Sequence, residues 1–175
     1  MKKVVMLAVL AVSCLFVRMA LAADSPHVRA GSEKQAGRYL VLAGGCNDCH
    51  TPGWMQSGGH MPVSEWLIGN PVGFRGPWGT TFPLNLRLLV HHVSERTWVA
   101  MFKGKRPLAR YPMLPPMPWL DYHHFSRRDL AAIYVFIRGL GPAGLPAPHF
   151  VPPGHATRHP YIVFVPQSPA KPPVS

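Results

Sequence analysis

Two cysteines three positions apart with a histidine directly behind them, Cys46-Asn47-Asp48-Cys49-His50, constrain this chain more than any other feature in it. On one turn of helix, thiols at that spacing reach the two vinyl groups of a single porphyrin, and the adjacent histidine lies beneath the iron. The motif predicts one haem c, attached covalently through Cys46 and Cys49, with His50 as an axial iron ligand. A bare CxxC would leave dithiol redox chemistry open. Here His50 and the absence of a βαβ pattern argue against it.

The chain has 175 residues, enough for one domain of ordinary size. It begins with Lys2 and Lys3, continues through an apolar run from Val4 to Val17, and reaches Ala20-Leu21-Ala22. That order reads as a secretory signal peptide over residues 1–22, cleaved after Ala22 or Ala23, which places the mature protein in the periplasm. Arg18 interrupts the apolar run and leaves it short for a bilayer span, so no stable membrane span is expected after cleavage. Cys14 leaves with the signal, so no cysteine pair remains for a structural disulfide. Losing Lys2, Lys3 and Arg18 lowers the formal charge from +11 to +8. An exported protein with scattered basic residues is a poor match for nucleic acid, and redox partner proteins with acidic docking surfaces fit better.

The expected layout is a short lead over 23–31, a domain over 32–141 and a Pro-rich tail over 142–175. Ser32 caps a helix whose apolar residues Ala36, Tyr39, Leu40 and Ala43 recur at helical spacing and deliver the CxxCH. Thr51 to Thr81 reads mostly as loop, with a turn of helix near Val63 to Ile68. Ser94 to Lys103 reads as a short amphipathic helix with Trp98 and either Met101 or Phe102 inward. The stretch from Arg106 to Leu120 is irregular, with five prolines. It runs to a variant capping box, Ser126-Arg127-Arg128-Asp129, which opens a helix with Leu130, Ile133, Tyr134 and Ile137 on one face. In the tail only Tyr161-Ile162-Val163-Phe164-Val165 reads as a strand. The fold class expected is therefore all-α, with at most one short strand.

The residue opposite His50 decides between electron transfer and small-molecule chemistry. Met117, flanked directly by Pro116 and Pro118, sits in a loop that proline has stiffened before folding, so the thioether is held at a fixed height at small entropic cost. Met113 in the same loop is the fallback. Met55 follows His50 too closely to cross easily to the opposite face, and Met101 suits a core. His60, His91, His92, His123 and His124 leave a bis-histidine haem as an alternative.

The helix leading into Cys46 to Thr51, then Pro116-Met117-Pro118-Trp119, then a capped final helix, resembles the class I c-type cytochromes, in the periplasmic monohaem branch with a Met-Pro-Trp axial loop. The resemblance covers about residues 32–141 and implies a small helical wrap around one haem. It implies a crossing of the first and last helices, with Gly37 to Ala43 against Ile133 to Ile137, and supports Met117 as the axial thioether. The segment Gly69 to Thr81 with Asn85 is similar to a propionate-side loop, which implies that Arg75, Trp78 and Asn85 contact the haem propionates. The function implied is that of an exported single-electron carrier between a periplasmic dehydrogenase or reductase and an acceptor, not an enzyme. The alternatives are a fixed electron-transfer subunit of an oxidoreductase complex, or a haem enzyme or gas sensor with a labile sixth ligand.

Overall fold

A computed structural model describes residues 27–104 and 114–164, and the segments read as signal peptide, Met113 and the end of the tail lie outside them. The chain is mostly helical. In order it forms α1 (Glu33–Ala43), α2 (Cys46–His50), a 3₁₀ turn (Val63–Glu65), β1 (Gly73–Gly76), β2 (Gly79–Thr81), α3 (Leu86–His92), α4 (Glu95–Lys103), α5 (Trp119–His123), α6 (Arg127–Gly139) and β3 (Tyr161–Val163).

Serine caps start the three longer helices. Ser32 accepts from the Gln35 amide, Ser94 from Thr97 and Ser126 from Asp129, each satisfying a donor that a first helical turn leaves unpaired. Asp129 closes the last cap by accepting from the Ser126 hydroxyl at 2.9 Å. Its other oxygen accepts from the Val28 amide at 2.8 Å, which pins the N-terminal lead onto α6.

Helix α6 is the centre of the core and packs on α1, α3 and α4. Contact with three neighbours explains why Ala132 and Phe136 are buried along with the expected Leu130, Ile133, Tyr134 and Ile137. Met101 and Phe102 of α4 are both inward, beside Trp98. The α1–α6 crossing is the most extensive helix contact, and it is built on Gly37, where an added Cβ would overlap the backbone carbonyl of Ala132. Gly37→Ala is expected to destabilise the fold by about 3 kcal/mol, read as a lower urea midpoint at unchanged slope.

That close crossing also corrects the inner face of α1. The buried stripe is Ala36, Gly37, Leu40 and Val41, whereas Tyr39 is 59% exposed and Ala43 faces solvent. Backbones that approach at Gly37 leave no room for a phenol beside them, so the stripe turns by one residue.

The expectation of at most one strand is also corrected. A small sheet of order β2-β1-β3 lies beside the helices, with β1 and β2 antiparallel around Pro77-Trp78 and β3 parallel to β1. Glycines at 73, 76 and 79 hid the hairpin, since glycine ordinarily weakens a strand. At Gly73 the reason is packing, because a Cβ there would stand 2.7 Å from the Phe82 ring and 2.8 Å from Thr80. Helix α3, capped by Asn85 accepting from Leu88, and helix α5, begun at Pro118, are further elements not anticipated.

Arg87 on α3 is buried and spends its guanidinium on backbone carbonyls. Its guanidinium donates to the carbonyls of Gly141 at 2.6 Å, Ser64 at 2.6 Å and Leu140 at 2.5 Å. Two of these acceptors close the C-terminal end of α6, where carbonyls lack helical partners and attract a cation. Arg87→Ala strands the acceptors and is expected to cost about 3 kcal/mol, measured by the same urea titration.

Candidate functional site

Helix α2 is a single short helix whose residues are the CxxCH itself. Gly45 precedes it at φ +66°, a left-handed conformation that suits glycine and turns the chain sharply out of α1. Asn47 and His50 face inward, while Cys46 and Cys49 are half-buried unpaired thiols. The helix is stitched to the loop beyond it. Thr51 donates to Asn47 Oδ1 at 2.7 Å and accepts from the Leu67 amide at 2.8 Å, and the Gly69 amide donates to the His50 carbonyl at 2.9 Å. Leu67 sits at φ +62°, a strained setting for a branched side chain, held there because it is fully buried and its amide is bound.

The His50 imidazole is buried, and its Nδ1 lies 2.7 Å from the carbonyl of Leu84. A carbonyl only accepts, so Nδ1 carries the proton and Nε2 keeps its lone pair. Among the described residues nothing hydrogen-bonds Nε2. Desolvation lowers the imidazole pKa, opposed in part by the Leu84 bond, and favours the neutral ring. A neutral histidine oriented through Nδ1 is the form that ligates a metal.

The thiols are shifted the other way. Burial pushes Cys46 up to about 12, with its own amide and Tyr122 opposing and Asp48 and Cys49 adding. Burial and Asp48 also raise Cys49. Tyr122 of α5 donates to the Gly44 carbonyl, and burial next to the thiols raises its phenol as well.

Met117 is half-buried against the hydrophobic core, and its carbonyl accepts from the Trp119 amide at 2.9 Å. The loop before it contains a cis Pro115–Pro116 bond and is anchored by Thr81, whose hydroxyl donates to Pro115 O at 2.7 Å. One short stretch, Thr81 to Leu84, therefore grips the Met117 loop at its first residue and His50 at its last. The competing histidines, His60, His91, His92, His123 and His124, are all exposed. Met55 is exposed, and Met101 is buried within α4.

The residues implied for the propionate side fall into two groups. Arg75 is committed within the fold, donating to Thr80 Oγ1 at 2.8 Å, Tyr161 Oη at 3.0 Å and His155 O at 2.9 Å. Asn85 is committed through Oδ1 to Leu88 and through Nδ2 to the carbonyls of Ala143 at 2.7 Å and Leu145 at 3.1 Å. Trp78 differs, since its Nε1 is buried with no partner. The buried side-chain donors without partners among the described residues are Asn47 Nδ2, Trp78 Nε1 and Trp119 Nε1. They stand on the CxxCH helix, on the hairpin and two residues past Met117. Such donors cost about 1–3 kcal/mol each unless something outside the polypeptide meets them.

Among the described residues no cluster of three His, Cys, Asp or Glu side chains offers a protein-only metal site. The local donor set of one imidazole and two thiols fits instead a group that brings most of its own metal ligands, as haem does. Leu84, Thr51 and Tyr122 carry no sequence signal for their roles, because a carbonyl acceptor or a bridging hydroxyl is created only by the fold. No described helix is long and apolar enough to cross a membrane. Comparison with protein-family models, with characterised proteins and with solved structures finds no match to this chain.

Proposed function

We propose that this chain is an exported single-electron carrier of the class I c-type cytochrome kind, holding one haem c through Cys46 and Cys49 with His50 and Met117 on the iron. The observation that carries the reading is the His50 ring, buried beside the two cysteines and oriented by Leu84 so that Nε2 alone remains to bind. Haem supplies a one-electron couple, and the chain supplies what tunes it. Leu84 fixes the histidine tautomer and raises its basicity as a ligand. Thr81 and the flanking prolines hold the methionine loop. With haem bound, a Met117 thioether together with the His50 imidazole would favour the ferrous state relative to two imidazoles and so raise the potential. No acid, base or nucleophile is required. The positive charge assists brief encounters with acidic partner surfaces.

The dithiol alternative is disfavoured by the thiols themselves, because reactive CxxC cysteines have depressed pKa values and these are raised. The haem enzyme or sensor is separated by ligand binding. The ferric protein is expected to show an iron–thioether charge-transfer band and to resist cyanide, and the ferrous protein to resist carbon monoxide, each at millimolar concentration. Immediate binding of either would overturn the carrier reading.

A further inference from the structure

The tail beyond α6 is Pro-rich, yet it folds back along the β1–β2 hairpin and grips both of its edges. Val151 pairs with Thr80 on the β2 edge, by amide-to-carbonyl bonds of 2.7 and 2.9 Å, while Tyr161–Val163 pairs with β1 on the other. Two glycines exist to admit it. A Cβ on Gly79, at φ +106°, would collide with the Val151 carbonyl, and one on Gly144 would stand 2.9 Å from Ile68 Cβ.

Arg75 and Asn85, two of the propionate-side trio, place two donors each on this tail. The Arg75 guanidinium also lies 4.1 Å over the Tyr161 ring. Just past β3, the Phe164 amide donates to Arg75 O at 2.7 Å, and its ring contacts Phe74 at 5.9 Å and Trp78 at 6.1 Å between centroids. The indole also lies against Gly76, where a Cβ would overlap the ring. Trp78 thus touches both Gly76 and Phe164, and its Nε1 is buried without a partner among the described residues. Prolines shorten the entropy loss of laying the tail down, since they restrict it before it folds.

We propose that residues 142–164 are a strap that locks the hairpin, with Phe164 as a positioning residue that fixes the Trp78 indole N–H as donor to a carboxylate of the haem. This rests on the haem reading above. Arg75 and Asn85 anchor the strap. A donor fixed in a water-poor site partly offsets the carboxylate's negative charge and so favours the ferrous iron.

The test uses the full-length holoprotein and two variants, Phe164→Ala and Trp78→Phe, with the indole N–H exchange rate by nitrogen-15 NMR and the midpoint potential as readouts. Phe164→Ala is expected to speed Trp78 indole exchange at least tenfold. It is also expected to lower the ferrous-to-ferric equilibrium by up to tenfold, about 59 mV for one electron, with the His/Met spectrum unchanged. Trp78→Phe is expected to lower the potential similarly, and the double variant to add nothing further, which a merely structural role would not produce. Unchanged exchange and potential in Phe164→Ala, or additive shifts in the double variant, overturn the strap while leaving the haem intact. A wild-type protein without covalent haem overturns the cofactor reading and the carboxylate acceptor with it.

Discussion

Replacing Met117 by alanine is expected to leave the covalent haem in place and remove the sixth ligand. The ferric spectrum should lose its thioether charge-transfer band, and cyanide should bind the ferric protein and carbon monoxide the ferrous protein immediately. The potential should fall on the order of 0.1–0.3 V, within the roughly 0.8 V range over which axial ligands act. The physical reason is that a soft thioether stabilises ferrous iron, and water or hydroxide in its place stabilises ferric. Met117→His should restore six-coordination and resistance to external ligands while keeping the potential low, which separates loss of a ligand from general damage to the loop. Met101→Leu, at a buried position on α4, should leave the spectrum as in the wild type.

The second large effect is at the attachment site. The Cys46→Ala, Cys49→Ala double variant is expected to carry no haem after denaturation and extraction, with a mass equal to the bare polypeptide. Each single variant should retain at most one thioether and a displaced pyridine haemochrome band. Stability should fall with haem loss, because the covalent haem stays on the unfolded chain but its buried porphyrin contacts and its bond to Met117 would form only in the native state. Asn47, Trp78 and Trp119 would then keep buried donors without partners, a standing cost of about 1–3 kcal/mol each.

What could be read from the sequence was local. Ser32, Ser94 and Ser126 announce helices because a cap and the apolar spacing behind it fall within a few residues. The CxxCH is legible for the same reason. Contacts that close over long separations were not. The carbonyl of Leu84 that orients His50 is 34 residues away from it, and Arg75 finds Tyr161 at a separation of 86. The β1–β2 hairpin was concealed by glycines whose purpose is to admit Phe82, Trp78 and Val151. The tail looked unstructured because proline and polar residues dominate it, although its partner surface lies elsewhere in the chain. Tyr39 shows the opposite failure, where correct helical spacing named the wrong face, since Gly37 sets the crossing.

A bond between the haem iron and the Met117 sulfur would be seen in proton NMR of the reduced protein with carbon-13-labelled methionine methyls. One methionine methyl resonance is expected far upfield, shifted by the porphyrin ring current, lost in Met117→Leu and retained in every other methionine variant. A reduced protein with no shifted methyl, or with one that survives Met117→Leu, would contradict it.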